Sequence, residues 1–384
     1  MRGIAFVAAV VATVSLTIGP SAPPASADTA DTAPYLPAPT GRWPVGVSSL
    51  DLKDTSRTDP WVPSVKYREL MVSLFYPATS ANGPKKQYMT PEESQRYLGP
   101  QNIPNVPLDL LSTVRTNAVV DVHPAGRRHS LIVLSPGFTD SRAMLSSLAE
   151  DLASHGYVVA VVDHTYENRA TTFPGGRITG CVACEIDDRP GFWEKLALSR
   201  AADVSFVLDQ LTASHPTWRI GKWRGSNLID PSRIAMGGHS AGGASTIQAM
   251  LGDSRIRAGI DIDGSTHVPI ADPGLSRPFM FMGSMDSYVP GEPGPYDDWE
   301  KDWLKLTGWK RWIMVRGTVH QSFTDLGLFA GQVGVDIGAT IDPNRALAIT
   351  RAYTRAFFDL HLRGKPQPLM AAPSPTYPEV TFVG

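Results

Sequence analysis

The sequence predicts an α/β protein built on a mostly parallel central sheet with helices on both faces. Short apolar segments rich in β-branched residues recur along the chain, and helical patterns alternate with them. Between one such strand and the helix after it stands a serine flanked by glycines. Strands buried on both faces read as continuous apolar runs, and strand alternating with helix implies parallel pairing through right-handed crossovers.

The chain opens with Arg2, an apolar stretch from Ile4 to Ile18, and small residues ending Ala25, Ser26, Ala27. This is the pattern of a secretory signal peptide over residues 1–27, with cleavage after Ala27. The stretch is shorter than the about 20 residues that cross a bilayer, and Gly19 and Pro20 close it. The mature protein is therefore expected outside the cytoplasm. Residues 28–44, rich in alanine, proline and threonine, are expected to form a flexible or extended lead-in.

Residues 45–384 suit one catalytic domain with insertions near 77–115 and 165–193. Val45 to Leu50 and Glu69 to Tyr76 open it as a pair of strands; in the second, Met71, Ser73 and Phe75 alternate with Val72 and Leu74. Buried strands are predicted at Leu131 to Leu134, Val158 to Val162, Arg233 to Met236, Ala258 to Ile262, Phe279 to Met282 and Trp312 to Val315. Between and after them, helices are predicted at Ser141 to His155, Glu194 to Thr212, Ala241 to Leu251, Asp297 to Leu306 and Asn344 to Leu362. In the second, Val204, Val207, Leu208 and Leu211 recur at helical spacing.

Composition excludes some functions. Lysine plus arginine number 35 against 37 aspartate plus glutamate, so the basic excess needed to grip a phosphate backbone is missing. Nucleic acid is not an expected partner. The two cysteines, Cys181 and Cys184, are read as a local disulfide in an exported protein, with two free loop thiols as the other reading. The acidic pairs Asp187, Asp188 and Asp297, Asp298 lack the interleaved spacing of a calcium loop and are read as solvated surface. No metal or cofactor is called for.

The glycine-flanked serine lies in GHSAGG, Gly238 to Gly243. On a strand-to-helix elbow the nucleophile occupies a strained turn, and glycines two residues to either side leave room where a side chain would clash. Ser240 is thus the expected nucleophile. A serine hydroxyl needs a base within hydrogen-bond reach and a carboxylate to orient that base, in the chain order Ser, acid, His. Of His267, His320 and His361, only His320 follows the final predicted parallel strand through a short loop, and it is taken as the base. The acid is Asp263, at the end of Ala258 to Ile262, or Asp286, after the next strand. Asp261 lies farther from the carboxyl end, where sites of such sheets form. The oxyanion is assigned to the N–H groups of Ala241 and Phe138; Pro136 has none to give. His239 is read as support for the site.

Several separate strings resemble the platelet-activating factor acetylhydrolase family, in its serine-dependent plasma and type II branch with bacterial relatives. They are LIVLSPGFTDSR with LAEDLASHGYVVAVVDHTYENRA, GHSAGG, AGIDIDG and VRGTVHQSFTDLGLF. The resemblance spans roughly Pro44 to Leu362 and implies the α/β-hydrolase fold with Asp263 as the triad acid. It implies a secreted, calcium-independent serine esterase that removes a short or oxidised acyl group, including the sn-2 acyl group of phospholipids. The elbow and LASHGYVVAVVD also resemble cutinase-like polyester hydrolases and secreted lipases, where the acid corresponds to Asp286. Gly264, Ser265 and Thr266 replace a bulkier aromatic stretch of the animal enzymes, which alters the expected acyl pocket.

The expected partner is a small ester or phospholipid, with transient contact to a lipid surface and no obligate protein. Residues 165–193 are read either as a lid or as an ordinary surface excursion. Leu108, Leu110, Leu111 and Val114 are read as inward-packing before lipid-touching. Trp299, Trp303, Trp309 and Trp312 are assigned to the core.

Overall fold

Among the described residues ten strands join in one sheet, in the spatial order Val380–Phe382, Lys310–Val315, Phe279–Ser284, Ile256–Ile262, Ile229–His239, His129–Ser135, Val158–Asp163, Arg68–Pro77, Val45–Asp54 and Val119–Val120. The computed structural model describes residues 33–214, 216–225, 227–285 and 297–383. The expected signal peptide and Asp286 lie outside these residues. Residues Ala33–Gly384 cluster as one compact unit.

In chain order the elements begin with β1 (Val45–Asp54) and β2 (Arg68–Pro77), followed by helix α1 (Pro91–Leu98) and β3 (Val119–Val120). Then come β4 (His129–Ser135), α2 (Ser146–Ser154) and β5 (Val158–Asp163). Two short ribbons, β6 (Thr171–Thr172) with β7 (Ile178–Thr179) and β8 (Arg219–Ile220) with β9 (Trp223–Arg224), flank α3 (Phe192–Thr212). The second half holds β10 (Ile229–His239), α4 (Ala241–Gly252), β11 (Ile256–Ile262), β12 (Phe279–Ser284), α5 (Asp297–Lys305) and β13 (Lys310–Val315). It ends with α6 (Asp325–Gln332), α7 (Pro343–Arg363), α8 (Pro368–Ala371) and β14 (Val380–Phe382).

Strands β5, β4, β10, β11, β12 and β13 pair in parallel, and β1, β2 and β14 add antiparallel pairings at the two ends. Because successive side chains point to opposite faces of a strand, each central strand feeds two cores. Leu131, Val133, Val158 and Ala160 pack with Val204, Val207 and Ile247 of α3 and α4 on one face. Ile132, Leu134, Val159 and Val161 pack with Leu148, Leu152, Ile349 and Phe357 of α2 and α7 on the other. The α/β-hydrolase expectation describes this architecture, with all the predicted strands and helices present and their ends moved by a few residues.

Several expectations hold in part. From Ala33 onward the lead-in is extended but fixed: Leu36 is buried, the Trp43 N–H donates to the Ser154 carbonyl at 3.1 Å, and the Thr40 hydroxyl to Asp151 at 2.8 Å. Its prolines forbid regular structure without forbidding docking. Asp298, expected on solvated surface, is half-buried because it accepts the Ser265 hydroxyl at 2.6 Å. Trp299 and Trp312 are core residues, whereas Trp303 and Trp309 are half-buried. Leu111 and Val114 pack inward, Leu110 partly, and Leu108 is exposed. Among the described residues no helix is long and apolar enough to cross a membrane.

Candidate active site

The elbow begins where β10 ends. Ser240 sits between β10 and α4 with φ 55° and ψ −127°, a conformation that costs a non-glycine residue about 1–3 kcal/mol. Two glycines make the turn possible. A β-carbon on Gly242 would lie 2.0 Å from the Ser135 carbonyl oxygen, and one on Gly238 would lie 2.4 Å from it. The Ser240 N–H donates to the Ile262 carbonyl at 2.8 Å, which brings the serine beside the carboxyl end of β11.

Asp263 follows that strand with φ 56° and is almost fully buried. Its Oδ2 lies 2.6 Å from Nδ1 of His320, and its Oδ1 accepts the Ser284 N–H at 2.7 Å. With Nδ1 committed to the carboxylate, the Nε2 of His320 is the nitrogen available for proton transfer. The histidine loop is pinned from behind, since the Ser284 hydroxyl donates to the Thr318 carbonyl at 2.7 Å. His239 accompanies them: its ring lies 4.4 Å from that of His320, and its Nε2 donates to the His320 carbonyl at 2.8 Å. Burial keeps His239 neutral, well below the usual imidazole range.

The loop after β4 closes over the serine. A β-carbon on Gly137 would stand 3.4 Å from Cβ of Ser240. Phe138, next in the loop, packs edge-on against Phe192 and Trp193, and Trp193 stacks on His267 with ring centroids 5.0 Å apart. Ala241 shares this cluster with Trp61, Phe192 and Leu196. The 165–193 segment therefore packs against the start of α4, and it carries a local Cys181–Cys184 disulfide. On another side an apolar cavity of about 260 Å³, lined by Tyr97, Leu98, Leu111, Gln321 and Phe329 among others, reaches the neighbour of His320. The Tyr97 hydroxyl donates to Asp140 at 2.7 Å, and burial holds the Asp140 carboxyl above its usual range.

The sequence reading missed a buried ionic network beneath this loop. Arg200 and Glu167 form an ion pair at 2.7 Å, Arg68 joins Glu167, Asp59 and Asp203, and His164 bridges Asp203 and Ser135. His164, Glu167 and Asp203 have the spacing of metal ligands, but Arg68 and Arg200 already hold the carboxylates. One signal was legible: Arg200 and Asp203 fall in the same helical stripe as Leu196, Val204 and Val207, where apolar residues are expected. Asp261, by contrast, is fully buried two residues before Asp263, with the Gly264 backbone beside its carboxyl.

The chain is similar to known ester hydrolases. It is 29% identical to a probable 1-alkyl-2-acetylglycerophosphocholine esterase of Arthroderma benhamiae, over 91% of this chain and 93% of that protein. It is 25% identical to the platelet-activating factor acetylhydrolase of Gallus gallus, over 82% of this chain and 76% of that one. Among solved structures, a ferulic acid esterase from Streptomyces cinnamoneus matches with a TM-score of 0.81 and 42% identity, covering 92% of this chain and all of that one. The family model for platelet-activating factor acetylhydrolase, isoform II, matches residues 29–175 and 222–367. A match across most of the chain, on both sides of the elbow, makes it a member of the platelet-activating factor acetylhydrolase isoform II family and an ester hydrolase.

Proposed function

We propose that this ester hydrolase works through Ser240 as nucleophile, His320 as general base and acid, and Asp263 as the carboxylate that orients the imidazole. The observation that carries the reading is the 2.6 Å Asp263–His320 contact beside a strained serine elbow. His320 Nε2 takes the Ser240 proton as Oγ attacks the ester carbonyl. Negative charge collects on the carbonyl oxygen, where the N–H groups of Ala241 and Phe138 receive it. The protonated histidine then gives its proton to the leaving alcohol, and water activated by the same nitrogen releases the acyl group from Ser240. Asp263 stays ionised and holds the tautomer.

The substrate reading is a short acyl ester, including the sn-2 acetyl group of a phospholipid, as the names of the two relatives suggest. A second reading has its own observation. Phe138, Trp193 and His267 form an aromatic wall beside Ala241, which suits the flat acyl group of a hydroxycinnamate such as the structural neighbour's ferulate. Export is part of the proposal, supported by the N-terminal apolar stretch and by a disulfide of the kind that persists in oxidising compartments.

Hydrolysis by the mature protein, beside Ser240→Ala, is to be measured on esters of rising acyl length, an sn-2 acetyl phospholipid and a methyl hydroxycinnamate. Serine-dependent turnover that falls with chain length and includes the phospholipid supports the first reading. Preference for the hydroxycinnamate selects the second. Turnover that rises with chain length or on polyester film makes the chain a lipase or cutinase-like enzyme instead, and full activity in Ser240→Ala removes the mechanism.

A further inference from the structure

We infer that Arg200 is a positioning residue for ester hydrolysis: buried beneath the loop after β4, its guanidinium clamps two carbonyls and so aims the Phe138 N–H at the developing oxyanion. The inference rests on the reading of Phe138 as an oxyanion donor.

The clamp is built from direct contacts. Arg200 Nη1 donates to the Pro136 carbonyl at 2.6 Å, and Nη2 reaches the Gly137 carbonyl at 3.4 Å. A trans peptide is planar, so the N–H of each unit points opposite to its carbonyl. Holding the Gly137 carbonyl toward α3 turns the Phe138 N–H the other way. Gly137 itself abuts the nucleophile, since a β-carbon there would be 3.4 Å from that of Ser240.

The guanidinium is fixed in turn. Its Nε donates to Glu167 Oε2 at 2.7 Å, and Glu167 Oε1 accepts the Trp61 indole N–H at 2.8 Å and Arg68 at 3.2 Å. Arg68 donates to Asp203 at 2.8 Å, and Asp203 accepts Nδ1–H of His164 at the same distance. His164 is held neutral by burial, so its Nε2 accepts the Ser135 hydroxyl at 2.9 Å. Ser135 closes the ring 3.4 Å from Arg200 Nη1, one residue before the clamped loop. Ser135, His164 and Asp203 thus copy the contacts of a catalytic triad, yet all three are buried.

A buried ion network is poor value for stability alone, because desolvation offsets much of the attraction. Its gain here is preorganisation: donors already aimed at the oxyanion need not reorganise during reaction. A fork that bonds two carbonyls is a property of arginine that lysine, a single point charge, lacks.

The test compares wild type, Arg200→Lys and Ser135→Ala for kcat and KM on a short ester, and for affinity toward an alkyl boronic acid that forms a tetrahedral adduct on serine. Removing one oxyanion donor in a serine hydrolase lowers kcat about 100- to 1,000-fold. For a donor that is misaimed and not deleted, Arg200→Lys should lower kcat at least about tenfold, with KM nearly unchanged and boronate affinity falling in parallel. Ser135→Ala should show a smaller loss of the same pattern. If folded Arg200→Lys keeps wild-type kcat and boronate affinity, or if KM rises as much as kcat falls, the inference is overturned. Should Arg200→Lys not fold, Ser135→Ala decides, and unchanged kcat and boronate affinity there overturn it. Wild type that fails to bind the boronate would instead undo the serine mechanism itself, so the two failures are distinguishable.

Discussion

His320 Nδ1 and Asp263 Oδ2 are 2.6 Å apart, and the second carboxylate oxygen is tied to the Ser284 N–H at 2.7 Å. The carboxylate is thus held by the last residue of β12 and by the loop after β13, and cannot swing away from the imidazole. In Asp263→Asn, an amide oxygen kept on Ser284 leaves an NH2 group facing Nδ1, which selects the wrong tautomer. We expect kcat to fall by about 10⁴-fold with little change in thermal stability. Asp286→Asn should leave kcat near wild type. Steady-state rates of the two variants on one ester settle the ranking, and the reverse order would transfer the role to Asp286.

Asp261, two residues earlier on the same strand, should behave in the opposite way. Burial, with Asp298 and Asp263 close by, raises its carboxyl well above the usual range, so it is neutral in the folded protein. The folded state binds this proton more tightly than the unfolded chain does. Its contribution is therefore full below about pH 4 and is lost as pH rises toward the folded-state value. Asp261→Asn imitates the neutral form, so activity should stay within about tenfold of wild type while stability loses part of its decline at higher pH. A loss of kcat as large as that of Asp263→Asn would show that Asp261 carries charge the site needs.

Glycine replacement separates the elbow from the rest of helix α4. A β-carbon on Gly238 would meet the Gly242 carbonyl carbon and the Ser135 carbonyl oxygen, each at 2.4 Å, and backbone cannot give way as a side chain can. Gly238→Ala should cost about 1–3 kcal/mol or more and lower kcat, because relief requires the loop after β4 to move. Gly252, the last residue of the helix, has open space around it. Gly252→Ala should be neutral or stabilising by up to about 1 kcal/mol. Thermal melts of the pair, with kcat, check both; equal melting temperatures would contradict the packing argument.

Much of this site was legible because its residues are punctuated in sequence. Ser240 is marked by glycines, Asp263 by the end of an apolar strand, and His320 by a short loop after another. Each signal is local, and the parallel sheet brings their carboxyl ends together. Arg68 and Glu167 were not legible, and Arg200 only as a charge in the apolar stripe of α3, since charged side chains are ordinarily solvated and their pairing joins segments far apart in the chain. The docking of residues 33–44 was hidden for a related reason: proline-rich composition shows the absence of helix and strand but not what an extended segment lies against.

His361 gives the chain a pH-dependent stability separate from catalysis. Its ring packs against Trp309 and Phe357, at 4.3 and 4.7 Å between centroids, and its Nε2 is buried without a hydrogen-bond partner. Burial lowers its pKa to about 4, against about 6.5 for an unfolded histidine. Between these values the unfolded chain binds the extra proton, so stability rises with pH there: the contribution is complete above about 6.5 and is lost as pH falls toward 4. Because the ring is only partly buried, solvent screening reduces the effect to about 1–2 kcal/mol. His239 and His164, also held neutral by burial, add slopes of the same sign. His361→Phe should keep the aromatic packing and make the fall in stability from pH 6.5 to 4 shallower without removing it. Denaturant midpoints at several pH values in that window, for wild type and variant, test this, and parallel curves would mean that His361 ionises freely in the folded protein.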